Sequence, residues 1–113
     1  MWPSPDNLEI SVPELHALRQ SDTLLRLIDC READEWDICH LEGAELAPLS
    51  RFAQEAAERF AETPLPIVIY CHHGMRSGQA AHFLRQRGVE NVWSLAGGIA
   101  QWADEIEPEM ARY

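Results

Sequence analysis

The chain has no lysine; all nine of its basic residues are arginine. That absence excludes Schiff-base chemistry on a lysine amine and a phosphate loop built around lysine. Long apolar runs are missing too. Segments such as Ile67-Val68-Ile69-Tyr70 are far shorter than the roughly 20 residues a membrane-spanning helix needs, so no membrane partner is expected. Positive charge is scarce: nine basic side chains face nineteen acidic ones, for a net charge of −10. Such a chain repels a phosphate backbone, which argues against nucleic acid as a partner. Cysteine is sparse and odd in number. Cys30, Cys39 and Cys71 show no framework spacing and no C-x-x-C pair, which argues against a disulfide-stapled secreted domain and against a metal centre. The start, Met1-Trp2-Pro3-Ser4-Pro5-Asp6, has neither the basic nor the apolar stretch of a secretory signal. The expectation is a cytoplasmic protein with reduced thiols.

What is present describes an ordinary globular protein. The 113 residues, 46% hydrophobic and 25% charged, suit one domain over residues 1–113. A chain of this size buries about two-thirds of its unfolded surface and needs no staple. The charge is unevenly spread. Thr63 to Val89 is a run of 27 residues without Asp or Glu, carrying Arg76, Arg85, Arg87 and three histidines. In an acidic chain this window is either a local site for an anion or simply a buried strand beside an arginine-rich helix face.

Short apolar segments alternate with helical ones, the pattern of a parallel sheet flanked by helices on both faces, an α/β fold. Leu8 to Ser11, Leu24 to Asp29, Ile67 to Tyr70 and Val92 to Leu95 read as strands, with a weaker one at Gly43 to Ala47. Ser11-Val12-Pro13-Glu14 is a capping box opening a helix to about Gln20. Glu32 to Asp37 is a short acidic turn of helix, and Arg51 to Glu62 a helix with Phe52, Ala56 and Phe60 on one face. Ser77 to Arg87 is another, ended by Gly88, and Gly97-Gly98 turns the chain into a last helix through Trp102. The four tryptophans, with Phe52, Phe60 and Phe83, read as core filler.

The chemistry is carried by Cys71-His72-His73-Gly74-Met75-Arg76-Ser77, between the most strongly apolar strand and the helix after it. In parallel sheets ligands bind beyond the carboxyl ends of strands. A cysteine there, under the N–H groups that open a helix, sits where negative charge is favoured, so its thiol ionises easily and becomes a nucleophile. Gly74 supplies the backbone freedom of a curled loop, and Arg76 offers a fork for an oxyanion. A lone cysteine is more often a small buried hydrophobe; cysteine, glycine and arginine together at one junction favour the functional reading.

Cys71 to Ser77 resembles the C-x-x-G-x-R-S active loop of the rhodanese-like sulfurtransferases. Leu27-Ile28-Asp29-Cys30-Arg31-Glu32 is similar to the family's L-I-D-V-R-E, His40 to Ala44 to its H-I-P-G-A, and Leu95 to Trp102 to its L-x-G-G-I-x-x-W. The resemblance implies a five-stranded parallel sheet and a persulfide on Cys71. A small anionic sulfur donor such as thiosulfate would load it, and cyanide, a thiol or a protein acceptor would unload it, with no metal or organic cofactor. Arg76, His72, His73, Gly74, Met75 and Ser77 would bind the substrate. The chain departs from the family at Cys39, where glycine is usual, at Glu42, where proline is frequent, and at Cys30, where an aliphatic residue is usual. Asp29 reads as a structural cap; Arg31 is left open between a structural and a functional role.

Three rivals remain. Dual-specificity phosphatases of the cell cycle share this fold but place five residues between cysteine and arginine; here four intervene, a smaller cradle. A metal site would need Cys39, His40, Cys71, His72 and His73 to converge, which three adjacent loop residues cannot easily do. A non-catalytic interaction module usually loses the nucleophile, whereas Cys71, Gly74, Arg76 and Ser77 are all present.

Overall fold

In the computed structural model, which describes residues 2–113, five parallel strands form one sheet in the order β1-β5-β4-β2-β3. The strands are β1 (Glu9–Ile10), β2 (Arg26–Asp29), β3 (Glu45–Leu46), β4 (Ile67–Tyr70) and β5 (Val92–Leu95). The α-helices are α1 (Val12–Gln20), α2 (Ala33–Ile38), α3 (Phe52–Phe60), α4 (Met75–Gln86) and α5 (Gly98–Glu105), with a 3-10 turn at Leu49–Arg51 before α3. The α/β expectation, with helices on both faces, holds. Among the described residues no helix is long and apolar enough to cross a membrane.

β4 is central, and all four of its residues are buried. Side chains alternate across a strand, so Ile67 and Ile69 face one way and Val68 and Tyr70 the other. The first set packs with Phe52, Ala56 and Phe60 of α3 and Ala80, Ala81 and Leu84 of α4. The second packs with Val12, Leu15 and Leu18 of α1 and Ile99 and Trp102 of α5. The same alternation carries past the strand ends: Cys71 and Cys30 both fall into the α3–α4 core. Register makes them neighbours, because Asp29 pairs with Tyr70 and the Cys30 N–H donates to the Tyr70 carbonyl at 3.0 Å.

The capping box at Ser11 forms as expected, with Glu14 N–H on Ser11 Oγ at 3.2 Å and Ser11 N–H on Glu14 Oε1 at 2.9 Å. Several details differ. Leu24 is 74% exposed and precedes the strand, which begins at Arg26, where the ion pair with Glu45 ties β2 to β3. The weak strand shrinks to Glu45–Leu46. The third helix starts at Phe52 and ends at Phe60, before the prolines at Pro64 and Pro66. Only Trp93 and Trp102 fill the core; Trp2 stacks on Trp93 at 5.1 Å, and Trp36 on α2 stacks on exposed His40 at 3.8 Å.

Candidate active site

β4 ends by delivering Cys71 to the carboxyl edge of the sheet. Gly74, at φ +112°, turns the chain so that α4 begins at Met75. The turn folds the first amides of α4 back onto the sulfur. Cys71 Sγ accepts the Gly74 N–H at 3.1 Å and the Ser77 N–H at 3.3 Å. The Ser77 hydroxyl lies 3.5 Å from the sulfur and 2.7 Å from Ser94 Oγ on β5. When the thiol ionises, Ser94 donates to Ser77 and Ser77 to the sulfur. The Cys71 thiol is pulled down to about 4, first by a hydrogen bond from the Cys30 thiol, against the opposing effect of burial, and then by the Ser77 hydroxyl and the two amides. At neutral pH the sulfur is a thiolate.

The loop is held from behind by α5. Ile99 N–H donates to the Cys71 carbonyl at 2.9 Å and Ala100 N–H to the His72 carbonyl at 3.0 Å. The helix comes this close because residue 98 is glycine. A Cβ there would lie 2.5 Å from the Cys71 oxygen and 2.4 Å from the His72 oxygen, and φ is +62°.

Two arginine–carboxylate pairs flank the loop. Arg31 and Asp29 are both fully buried; Asp29 accepts the Arg31 amide at 2.9 Å and its guanidinium at 2.6 Å, while Arg31 also donates to the Cys39 carbonyl at 2.6 Å. Burial works against the Arg31 charge, but the hydrogen bonds it donates to Asp29 and Tyr113 outweigh it and hold the guanidinium firmly protonated. Arg76 reaches Glu35 of α2 through both terminal nitrogens, at 2.7 and 2.9 Å. That fork holds the Glu35 carboxyl down at about 2. Tyr113 bridges the pairs, its hydroxyl donating to Glu35 at 2.9 Å and accepting from Arg31 at 3.0 Å, and its ring stacks on His72 at 4.2 Å. Beside the loop opens a pocket of about 250 Å³ lined by residues including Cys39, His72, His73, Ile99, Met110 and Tyr113. Burial holds the His72 imidazole below its ordinary value, and neighbouring His73 acts in the same direction.

The structure brings Cys71, Gly74 and Ser77 together, and places His72 and His73 on the pocket and Met75 outside it, 79% exposed. One expectation needs amending. Arg76 does not present an open fork, because Glu35 already occupies it. Of the other arginines in the acid-free window, Arg85 ties α4 to the carbonyls of Val92, Pro5 and Asn7, and Arg87 lies over the Phe83 ring at 3.8 Å. The plain structural reading of the window holds for these two. Arg31 resolves as the partner of Asp29. Sequence reasoning missed Glu35, Ser94, Tyr113 and the contact of Cys30 with Cys71. Only Ser94, a polar residue inside an apolar strand, left a local trace. Among the described residues no group of three or more His, Cys, Asp or Glu is placed to hold a metal ion.

Comparison with known proteins gives the family. The Rhodanese-like domain family matches residues 11–105. The chain belongs to the rhodanese-like family. It is 37% identical over 106 residues to the probable adenylyltransferase/sulfurtransferase MoeZ of Mycobacterium tuberculosis, covering 92% of this chain but 26% of that protein. It therefore spans about a quarter of the length of that relative. It is 33% identical over 98 residues to the thiosulfate sulfurtransferase GlpE of Pseudoalteromonas translucida, covering 87% of this chain and 90% of the relative. Among solved structures it is similar to the human single-domain sulfurtransferase TSTD1, with a TM-score of 0.72 at 26% identity over 87% of this chain and 96% of that one. The five-stranded rhodanese-like fold is shared.

Proposed function

We propose that this rhodanese-like domain moves sulfane sulfur from a small anionic donor such as thiosulfate to a thiophilic acceptor through a persulfide on Cys71. The observation that carries the reading is the Cys71 sulfur under the Gly74 and Ser77 amides and the Ser77 hydroxyl. Cys71 thiolate attacks the outer sulfur of thiosulfate, a new S–S bond forms, the old one breaks, and sulfite leaves with the electron pair. The loop amides hold the negative charge before and after transfer. Cyanide or a thiolate then attacks the outer sulfur, regenerating Cys71 thiolate. The half-apolar pocket beside His72 and His73 suits a thiol-bearing molecule or a protein segment as acceptor. Arg76, within the field of the Cys71 charge, helps draw in the donor anion, and Glu35 competes with that donor for its fork.

The test is intact mass of the reduced protein after thiosulfate. The expected result is the gain of one sulfur atom, mapped to the tryptic peptide 60–76 that contains Cys71, lost on cyanide treatment and absent in Cys71→Ser. Hydrolysis of an aryl phosphate is assayed on the same preparation. Four loop residues between Cys71 and Arg76 leave little room for a phosphoryl group, so none beyond the Cys71→Ser background is expected. Cys71-dependent phosphate release without a persulfide would overturn sulfur transfer in favour of a phosphatase.

A further inference from the structure

Sulfur transfer uses one cysteine, yet a second one is buried against it. Cys30 and Cys71 leave neighbouring strands at matched positions, both point into the α3–α4 core, and both are free thiols. Neighbouring strands run about 4.8 Å apart, inside the roughly 4.4–6.8 Å between Cα atoms that a disulfide bridges. Cys39, by contrast, lies on the pocket wall, with its carbonyl on Arg31.

We propose that Cys30 is a resolving thiol that lets this site reduce a peroxide, closing a reversible Cys30–Cys71 disulfide. This activity needs only the Cys71 thiolate and goes beyond sulfur transfer. The thiolate attacks one peroxide oxygen, the O–O bond breaks, and hydroxide or alkoxide leaves with the electron pair; Cys71 becomes a sulfenic acid. Cys30 sulfur then attacks Cys71 sulfur. The S–S bond forms, the S–O bond breaks, and the departing hydroxide takes the Cys30 proton as water. An external dithiol returns both thiols by exchange. The order of steps is built in. While Cys71 is a thiolate, the hydrogen bond to it and burial push the Cys30 thiol far up, so Cys30 stays a donor. Oxidation of Cys71 removes that negative charge and frees Cys30 to attack. The disulfide also withdraws Cys71 from sulfur transfer, so peroxide and sulfur donor compete for one sulfur.

The experiment is peptide mapping of the reduced full chain after about two to three equivalents of hydrogen peroxide, enough for either the disulfide or the sulfinic acid, and quenching with an alkylating agent. Trypsin separates the three cysteines into peptides 27–31, 32–51 and 60–76. The expected product joins 27–31 to 60–76, lighter by two hydrogens than the reduced pair, and dithiothreitol reverses it. In Cys30→Val, which keeps an apolar side chain in the core, Cys71 should run on to the sulfinic acid, and the dithiothreitol-reversible fraction should fall at least severalfold. Cys71 in the wild type recovered as sulfinate with Cys30 alkylated, joined to Cys39 or a second chain, or untouched by peroxide would overturn the proposal. The mapping does not involve thiosulfate, so it stands apart from the sulfur-transfer assay: a persulfide without the disulfide removes only this inference, and the reverse removes only the sulfurtransferase reading.

Discussion

The two arginine–carboxylate pairs beside the loop look alike on paper and differ in kind. Arg31 and Asp29 are two residues apart, fully buried and saturated with partners. Arg76 and Glu35 come from different helices, and their side chains remain 35% and 17% exposed. A fully buried pair cannot exchange partners without leaving a bare charge in the core, so it serves as scaffold. A pair open to solvent trades partners cheaply. The difference separates what shapes the site from what can answer to an incoming anion.

The largest expected effect breaks the scaffold pair. Arg31→Ala strands Asp29 as an uncompensated buried carboxylate beneath the active loop and should cost about 3–5 kcal/mol of stability, read as a drop in the urea midpoint. A loss below about 1 kcal/mol, the range of surface pairs, would place both pairs in the same class. Next comes Gly98→Ala, which pushes a methyl group into the Cys71 and His72 carbonyls. Sulfur transfer should fall by about tenfold or more, equivalent to 1.4 kcal/mol, while the urea midpoint moves less than in Arg31→Ala. Wild-type turnover in this variant would show that α5 does not set the loop.

The order of elements, the central strand and the active loop were legible in the sequence because each is written locally: β-branched runs, a capping box, cysteine and glycine at one junction. What was illegible depends on distance or on backbone. The sequence puts the start of α4 at Ser77; in fact Gly74 in the left-handed region opens the helix at Met75, and Ser77 spends its amide on Cys71. Glu35 meets Arg76 across 41 residues and Tyr113 meets Glu35 across 78, and no periodicity encodes such meetings. In the sequence Cys30 is only a cysteine where an aliphatic residue is usual. Only register shows that it faces the nucleophile.

The half-buried pair gives a smaller effect with two signs. Arg76→Ala should weaken thiosulfate use by about tenfold, in line with losing a charge-assisted contact. Glu35→Gln removes the competitor for that fork and one negative charge near the donor's path, so KM for thiosulfate should fall a few-fold, with kcat changed less. Equal impairment in both variants would make the pair a brace between α2 and α4, and the donor would then rest on the loop amides alone.

The smallest expected effect is the flat response of Cys71 to pH near neutrality. An ordinary thiol, with a pKa of about 8.5, gains thiolate steeply between pH 6 and 9. Cys71 is held at about 4, so its charged form is the folded protein's normal state, complete well below pH 6 and lost only as pH falls through about 4. Thiolate ultraviolet absorbance of wild type minus Cys71→Ser should therefore rise with a midpoint near 4 and stay level from pH 6 to 8. The largest cause is the Cys30 thiol, so Cys30→Val should move the midpoint upward, while the Gly74 and Ser77 amides keep it below that of a free thiol. A midpoint near 8.5 in the wild type would mean that the loop donors do not bear on the sulfur as their distances imply. The contrast between a fixed scaffold and a charged, responsive loop would then lose its chemical half.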